Sequence, residues 1–352
     1  PARAINEIMN HHLQPAFSPR RELGRTGFVA TAIGIGDLAD RSVPLEQCVD
    51  TLCQALAHGL NLIDTAPMYE DGYSEQIVGT AVTRVTGSNG RGAPTGTISR
   101  DDLFVIDKID ELDRPVRPQA EASLQRLGLD RVDLFVLHAL STLDDWNKAA
   151  APGGSMDQIG ELIRSGRCRF RGISSHDPHT LRAAIESGLC DVVMFPVGPF
   201  VDSRYIDEIL PLARQKSVGT VCFKAFGAGK LLGDTQGYGR PLQNRPRGKL
   251  SSGGLPEPAV GHAHATTGDE PLAEDASPML PRLTVEECVH FAMTCDPDVV
   301  LLGMSFPNEI EAALAAAAGF KPLDHARMAE IRLRAARAIE GKGECWWNPV
   351  GR

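Results

Sequence analysis

Eight times along the chain a short apolar run is followed by a helical pattern, and that beat limits the fold more than any other feature. The runs fall near residues 30–36, 61–64, 102–108, 132–138, 170–174, 191–196, 220–224 and 298–302. Most are apolar nearly throughout rather than alternating, as strands covered on both faces must be. Helical patterns follow near 44–58, 74–85, 118–127, 155–164, 178–187, 203–216, 284–294 and 308–318, and one more at 324–340 stands outside the repeat. Parallel strands each followed by a helix close naturally into a (β/α)8 TIM barrel. An open doubly wound sheet is the alternative, and it wants a G-x-G-x-x-G turn after the first strand. Gly34-Ile35-Gly36 begins that pattern and Asp37-Leu38-Ala39 breaks it, which favours the barrel.

In a barrel the C-terminal strand ends meet on one rim, and this chain keeps its polar residues there. Asp64 closes the apolar triplet that begins at Leu62, and Tyr69 lies in the loop that follows Pro67. Lys108 ends the third run and His138 the fourth. Brought together, the four make an acid catalyst. A phenol has an ordinary pKa near ~10. An adjacent ammonium favours the phenolate, and a carboxylate holds the ammonium. The imidazole can hydrogen-bond a reacting oxygen. Asp107 and Asp110 are alternative counter-charges for Lys108, although strand alternation turns Asp107 away from it.

Composition sets the outer limits. The 352 residues suffice for one large barrel with insertions, and 42% hydrophobic with 23% charged residues is ordinary for a soluble protein. A net charge of −9 argues against a nucleic-acid partner. No run approaches the ~20 apolar residues of a membrane span, and the first twenty residues lack the apolar core of a signal peptide. Residues 1–20 are expected to be a loose arm, and residues 21–352 a single domain. Eight cysteines form no C-x-x-C pair, and most sit in apolar patterns, so a reducing, cytoplasmic setting is expected. Cys288, His290 and Cys295 share one helical segment on diverging faces, and His262 with His264 lacks ligand partners at metal spacing, so no metal site is expected.

The motif DTAPMY ending in Tyr69, with Lys108 and His138 at the ends of later strands, resembles the aldo/keto reductase superfamily. The likeness runs from RELGRTG at Arg21 to GMSFPNEIEAAL ending at Leu314. It implies an N-terminal hairpin that plugs the barrel floor, a long loop after the seventh strand (residues 233–283) and an extra C-terminal helix. It also implies a nicotinamide cofactor. Ser174 and Ser175 match the family's Ser-Asn for the carboxamide, while the family's next contact, a glutamine, is Met194 here. Phe223 falls where relatives stack an aromatic on the nicotinamide. Lys224 and the stretch Phe226, Gly227, Gly229 and Lys230 match the pyrophosphate loop, and Gly303 and Ser305 the adenosine end. Relatives selective for a 2′-phosphate carry Arg or Lys nearby, but here the positions are Asn308, Glu309, Ala312 and Ala313, leaving NADP(H) and NAD(H) both open.

His176, Trp146 in an expected rim loop and Phe200 are candidates for the substrate pocket. Trp346 and Trp347 either fold back onto a pocket or staple the last helix. The resemblance implies hydride transfer to or from a small carbonyl compound or a sugar hydroxyl, with Tyr69 as general acid and base. Some relatives oxidise aldoses at carbon 1, and the KAFGAG loop and VVLLGMS stretch resemble theirs. The rival readings are a non-catalytic nucleotide-binding barrel subunit and a barrel of unrelated chemistry, such as a lyase.

Overall fold

The computed structural model describes residues 19–36, 41, 43–87, 98–232, 282–340, 342 and 344–349. Most of the expected arm, residues 37–39, residues 88–97, and nearly all of 233–283 with His262 and His264 lie outside the described residues.

Strands β1 (Arg20–Glu22) and β2 (Val29–Thr31) pair antiparallel as a hairpin. Eight further strands close a parallel barrel: β3 (Ile33–Gly36), β4 (Leu62–Asp64), β5 (Phe104–Ile109), β6 (Leu134–Leu137), β7 (Phe170–Ser174), β8 (Val192–Pro196), β9 (Gly219–Phe223) and β10 (Val299–Gly303). They follow one another in sequence order around the ring, and β10 pairs with β3 to shut it. The run expected as one strand at 30–36 is two. Thr31 ends the hairpin, its N–H donating to Asn61 Oδ1 at 2.8 Å and its hydroxyl to the Ile33 carbonyl at 2.8 Å, and the chain bends at Ala32 before β3.

Side chains alternate along each strand, and the burial pattern shows which way each points. Leu62, Phe104, Ile106, Leu134, Val136, Val192, Met194, Val221, Val299 and Leu301 fill the barrel. Their neighbours Ile63, Val105, Phe135, Val193, Cys222 and Val300 face the helices in a second, larger apolar layer. Leu23, Phe28 and Ala30 of the hairpin join the inner cluster and close the floor. Gly24 makes that fit possible: its φ is +48°, and a Cβ there would lie 2.2 Å from the Gly219 nitrogen. With the floor sealed, the opposite rim is the open end.

The helices are α1 (Leu45–Ala57), α2 (Tyr73–Thr86), α3 (Val116–Leu127), α4 (Leu143–Ala150), α5 (Ser155–Arg164), α6 (Pro178–Glu186), α7 (Leu210–Gln215), α8 (Val285–Thr294), α9 (Pro307–Ala318) and α10 (His325–Ile339). The helical pattern expected from residue 44 begins one residue later, with Pro44 as the cap residue of α1. The helix expected over 203–216 opens with a wide turn at Tyr205–Ile209 before α7. Pro211 supplies no N–H to the helical ladder and its ring crowds the carbonyl four residues back, which accounts for the widening. Helix α4 was not expected, and it corrects the placement of Trp146. The Thr142 hydroxyl oxygen accepts the Asp145 N–H at 3.1 Å and starts a helix, and Trp146, 3% exposed, packs into the outer core rather than standing in a rim loop.

Candidate active site

The inward register that fills the barrel with apolar side chains continues to its open rim and there changes character. Two residues beyond Leu62 is Asp64; two beyond Ile106 is Lys108; two beyond Val136 is His138. The same step brings Ser174 inward after Gly172, and Phe223 after Val221. At or just past their rim ends, four strands therefore carry polar residues and a fifth carries an aromatic.

Lys108 is 1% exposed and Asp64 2%. The ammonium donates to Asp64 Oδ1 at 2.6 Å and to the Thr65 carbonyl at 2.7 Å. A buried ammonium left unpaired would cost several kcal/mol, so this pairing is a condition of the fold as well as of any chemistry. The same ammonium stands 4.4 Å from the centroid of the Tyr69 ring. Tyr69 sits in a tight loop: its N–H bonds the Ala66 carbonyl at 3.1 Å, and Glu70, Asp71 and Gly72 all take positive φ before α2 begins. Tyr73, by contrast, hydrogen-bonds the Val43 carbonyl at 2.8 Å and serves packing.

The rings of Tyr69 and His138 meet edge to face with centroids 5.8 Å apart. The His138 Nδ1 lies 2.5 Å from Asp110 Oδ1, and the other oxygen of that carboxylate accepts the Met68 N–H at 2.8 Å. Asp110 is thus a partner of the histidine and of the tyrosine's loop, not of Lys108. Burial and the nearby Lys108 charge hold the imidazole below its ordinary pKa, against the opposing pull of Asp110. Asp107 points out of the barrel as alternation requires. It is fully buried, one oxygen accepts the Lys108 N–H at 2.8 Å, and Oδ2 has no hydrogen-bond partner among the described residues. Burial, with the Glu75 charge adding, pushes its carboxyl well above the usual range.

On the facing side of the rim, Ser174 turns inward and Ser175 does not. The Ser175 hydroxyl oxygen accepts the Asp177 N–H at 3.1 Å outside the strand, so it takes part in a turn and not in the inner layer. His176 takes the inward place. Its Nε2 is buried without a hydrogen-bond partner among the described residues, and burial together with the Lys224 charge lowers its pKa to about 3. Its ring meets Phe223 at 5.4 Å and Trp346 at 4.9 Å, both edge to face. A neutral imidazole, an orphaned ring nitrogen and an aromatic face in one rim fit a flat heteroaromatic carrying an amide. Met194 lies in the barrel core, where it offers packing and no strong hydrogen bond.

The loop after β9 turns sharply, with positive φ at Lys224, Gly227, Ala228 and Gly229. Its amides are largely used within it: Gly227 N–H bonds the Lys224 carbonyl at 2.9 Å, Gly229 the Phe226 carbonyl at 2.9 Å and Lys230 the Gly227 carbonyl at 3.0 Å. Phe226 is a core side chain. The Lys230 ammonium donates to the Glu344 carbonyl at 2.6 Å, and the Lys224 ammonium lies 4.4 Å from the Trp346 ring. The C-terminal tail thus folds back over this rim. Trp347 is fully buried and its indole N–H bonds the Phe200 carbonyl at 2.9 Å, while Trp346 is half exposed beside His176. Phe200 contributes a backbone anchor there. Gly303 ends β10, and beyond it the Glu309 carboxylate accepts the N–H groups of Ser305 at 2.7 Å and Phe306 at 3.3 Å.

All eight cysteines are free, and no His, Cys, Asp and Glu cluster suited to a metal occurs among the described residues. His290 Nε2 lies 2.9 Å from the Ala316 carbonyl, a structural contact. No described helix is long and apolar enough to cross a membrane.

Comparison with known proteins agrees with this architecture. The profile of the aldo/keto reductase family matches residues 31–333. An NADH-specific methylglyoxal reductase of Escherichia coli is 27% identical over 219 residues, covering 60% of this chain and 66% of that protein. The L-galactose dehydrogenase of Arabidopsis thaliana is 27% identical over 233 residues, with the same coverage. The match thus spans just under two thirds of these relatives' length. A solved aldo-keto reductase from Klebsiella pneumoniae in complex with NADPH superposes with a TM-score of 0.59 at 17% identity, covering 90% of this chain and 96% of that one. The holo form of an aldo-keto reductase from Bacillus halodurans gives 0.57 at 22%, covering 91% and 95%. These solved structures bear on the fold.

Proposed function

The chain belongs to the aldo/keto reductase family, and from that premise we propose that it is a nicotinamide-dependent oxidoreductase in which Tyr69 exchanges a proton with the reacting oxygen of a small carbonyl compound or its alcohol. The observation that carries this reading is the Lys108 ammonium, sealed against Asp64 at 2.6 Å and held 4.4 Å from the Tyr69 ring centroid. In the reducing direction Tyr69 gives its proton to the oxygen while carbon receives hydride. The phenolate left behind is favoured by the adjacent ammonium. Asp64 fixes that ammonium by charge and hydrogen bond, so no reorganisation is needed as negative charge develops. In the oxidising direction the same phenolate takes the hydroxyl proton. The low-polarity barrel beneath strengthens each of these interactions.

The nicotinamide dinucleotide, when bound, supplies or takes the hydride. Ser174, the orphaned Nε2 of His176 and the ring of Phe223 are the groups that would hold its nicotinamide. Lys224, Phe226, Gly227, Gly229 and Lys230 would lie along its phosphates, and Gly303 and Ser305 at its adenosine end. Ser175 would act through the turn it fixes. Glu309 places a carboxylate on the Ser305 and Phe306 amides, where a 2′-phosphate would meet like charge, and this favours NAD(H) over NADP(H). Relatives named for L-galactose and for pyridoxal dehydrogenation, beside one named for methylglyoxal reduction, support a polyol or aldehyde as substrate.

Tyr69→Phe tests the reading. Oxidised and reduced cofactors, assayed with a panel of aldehydes and aldoses, should show turnover with the natural chain. The variant should lose about 10²–10⁴-fold in kcat while a fluorescence titration finds cofactor affinity unchanged. Cofactor binding with no turnover in either protein would instead identify a non-catalytic nucleotide-binding barrel.

A further inference from the structure

Asp110 contributes to the site in a way that no strand-end pattern announces. One oxygen of its carboxylate meets His138 Nδ1 and the other accepts the N–H of Met68, the residue before Tyr69. The geometry points to Asp110 as a positioning residue that fixes His138 in its Nδ1–H tautomer and latches the loop presenting Tyr69, leaving Nε2 as a bare acceptor whenever the ring is neutral. The inference rests on the oxidoreductase reading for its kinetic consequence but not for its structural one.

The argument is one of donors and acceptors. A carboxylate oxygen only accepts, so the ring nitrogen facing it carries hydrogen. A neutral imidazole has one N–H, and here it is committed to Asp110. The Nε2 atom then bonds an alcohol, which brings its own hydrogen, and repels a carbonyl oxygen. Only the imidazolium offers an Nε2–H to a carbonyl. The charges around this ring are Asp110, Lys108 and Asp64, with Tyr69 at its edge and His176 across the rim. Burial and Lys108 resist the imidazolium, and the hydrogen bond to Asp110 is the main influence opposing them. Asp110 therefore does two things: it makes carbonyl recognition depend on protonation, and it keeps that protonation within reach.

Asp110→Asn separates these consequences from a loss of packing. An asparagine has one acceptor oxygen for two donors. Met68 N–H can take it, and the amide NH2 then faces Nδ1, which selects the Nε2–H tautomer and gives a neutral ring that donates to carbonyls without titrating. Two readouts follow. Nitrogen-15 NMR of labelled protein should show His138 as Nδ1–H in the natural chain at neutral pH and as Nε2–H in the variant. In the natural chain kcat/KM for carbonyl reduction should fall about tenfold per pH unit once pH rises past the imidazole's lowered pKa; in Asp110→Asn that limb should vanish, and Asp110→Glu should restore it. An Nε2–H tautomer in the natural chain, or an unchanged tautomer and limb in Asp110→Asn, overturns the proposal. A natural chain that shows the Nδ1–H tautomer but turns over no carbonyl leaves the positioning role standing and removes the oxidoreductase reading alone.

Discussion

Strand β5 sets two buried ionisable residues side by side and sends them to opposite fates. Lys108 faces into the barrel and Asp107 faces the helices; both are essentially inaccessible to water. Inside, the ammonium has a carboxylate at 2.6 Å, a carbonyl at 2.7 Å and an aromatic ring beside it. Outside, Asp107 has a backbone N–H on one oxygen and, among the described residues, no hydrogen-bond partner on the other. Its acidic neighbour Glu75, also fully buried, is matched instead by Arg126, which bonds both oxygens of the Glu75 carboxylate. The difference teaches that burial alone does not decide what an ionisable group meets. The inner face is where eight strands converge, so a charge placed there meets charges from other strands. The outer face meets only the helices packed on it, and its charges must be paired locally or neutralised by proton uptake.

Lys108→Met should produce the largest effect of any change that breaks this contrast. It strands the Asp64 carboxylate in the barrel, which should cost about 3–5 kcal/mol in denaturant unfolding. It also removes the charge beside Tyr69, so kcat/KM should fall by about 10²–10⁴-fold. A variant that unfolds normally and loses no activity would mean the inner pair is packing only.

Arg126→Met applies the same operation to the outer face. Glu75 would be left buried without its cation, and stability should drop by about 3 kcal/mol, near the low end because Arg126 is partly exposed. The rate per folded molecule should not change, since Arg126 bonds Glu75 and Ser123 on the outer face and not the rim cluster. Circular-dichroism melts beside steady-state kinetics would decide it. A fall in rate as large as that of Lys108→Met would erase the distinction between the faces.

How much of this was readable beforehand follows the same divide. Asp64, Lys108 and His138 were legible because parallel strands deliver every second residue to a common rim, a rule that needs no knowledge of the loops. Period two also assigns Ser175 outward once Ser174 is inward, so the signal that it turns away, and that His176 takes the inward place, was present. The capping pattern Thr142 to Asp145 likewise announced α4 and with it the burial of Trp146. Asp110 was different. It lies just past β5, where the chain direction is set by the loop, and its partners His138 and Met68 come from two other loops. The partner of Trp346 was opaque for the same reason: its contact with His176 joins the tail to the end of β7, and no local periodicity encodes that.

The smallest expected effect is also the one with the clearest sign. Asp107 is held well above the usual carboxylate range by burial, with Glu75 reinforcing. The folded protein therefore binds a proton that the unfolded chain, with an ordinary aspartate near ~3.9, releases. Where the native state holds more protons than the unfolded one, stability falls as pH rises. That loss begins above the unfolded value and continues until the folded carboxyl itself ionises. Asp107→Asn keeps the shape, and its carbonyl oxygen can still accept the Lys108 N–H, but it has no proton to lose. It should leave stability little changed near pH 4 and raise it by on the order of 1 kcal/mol at pH 8, flattening the alkaline side of the stability profile while kcat/KM stays as it was. If the asparagine variant instead tracks the natural chain at every pH, Asp107 titrates as it would in water, and the outer face of β5 is not the sealed counterpart of the inner one.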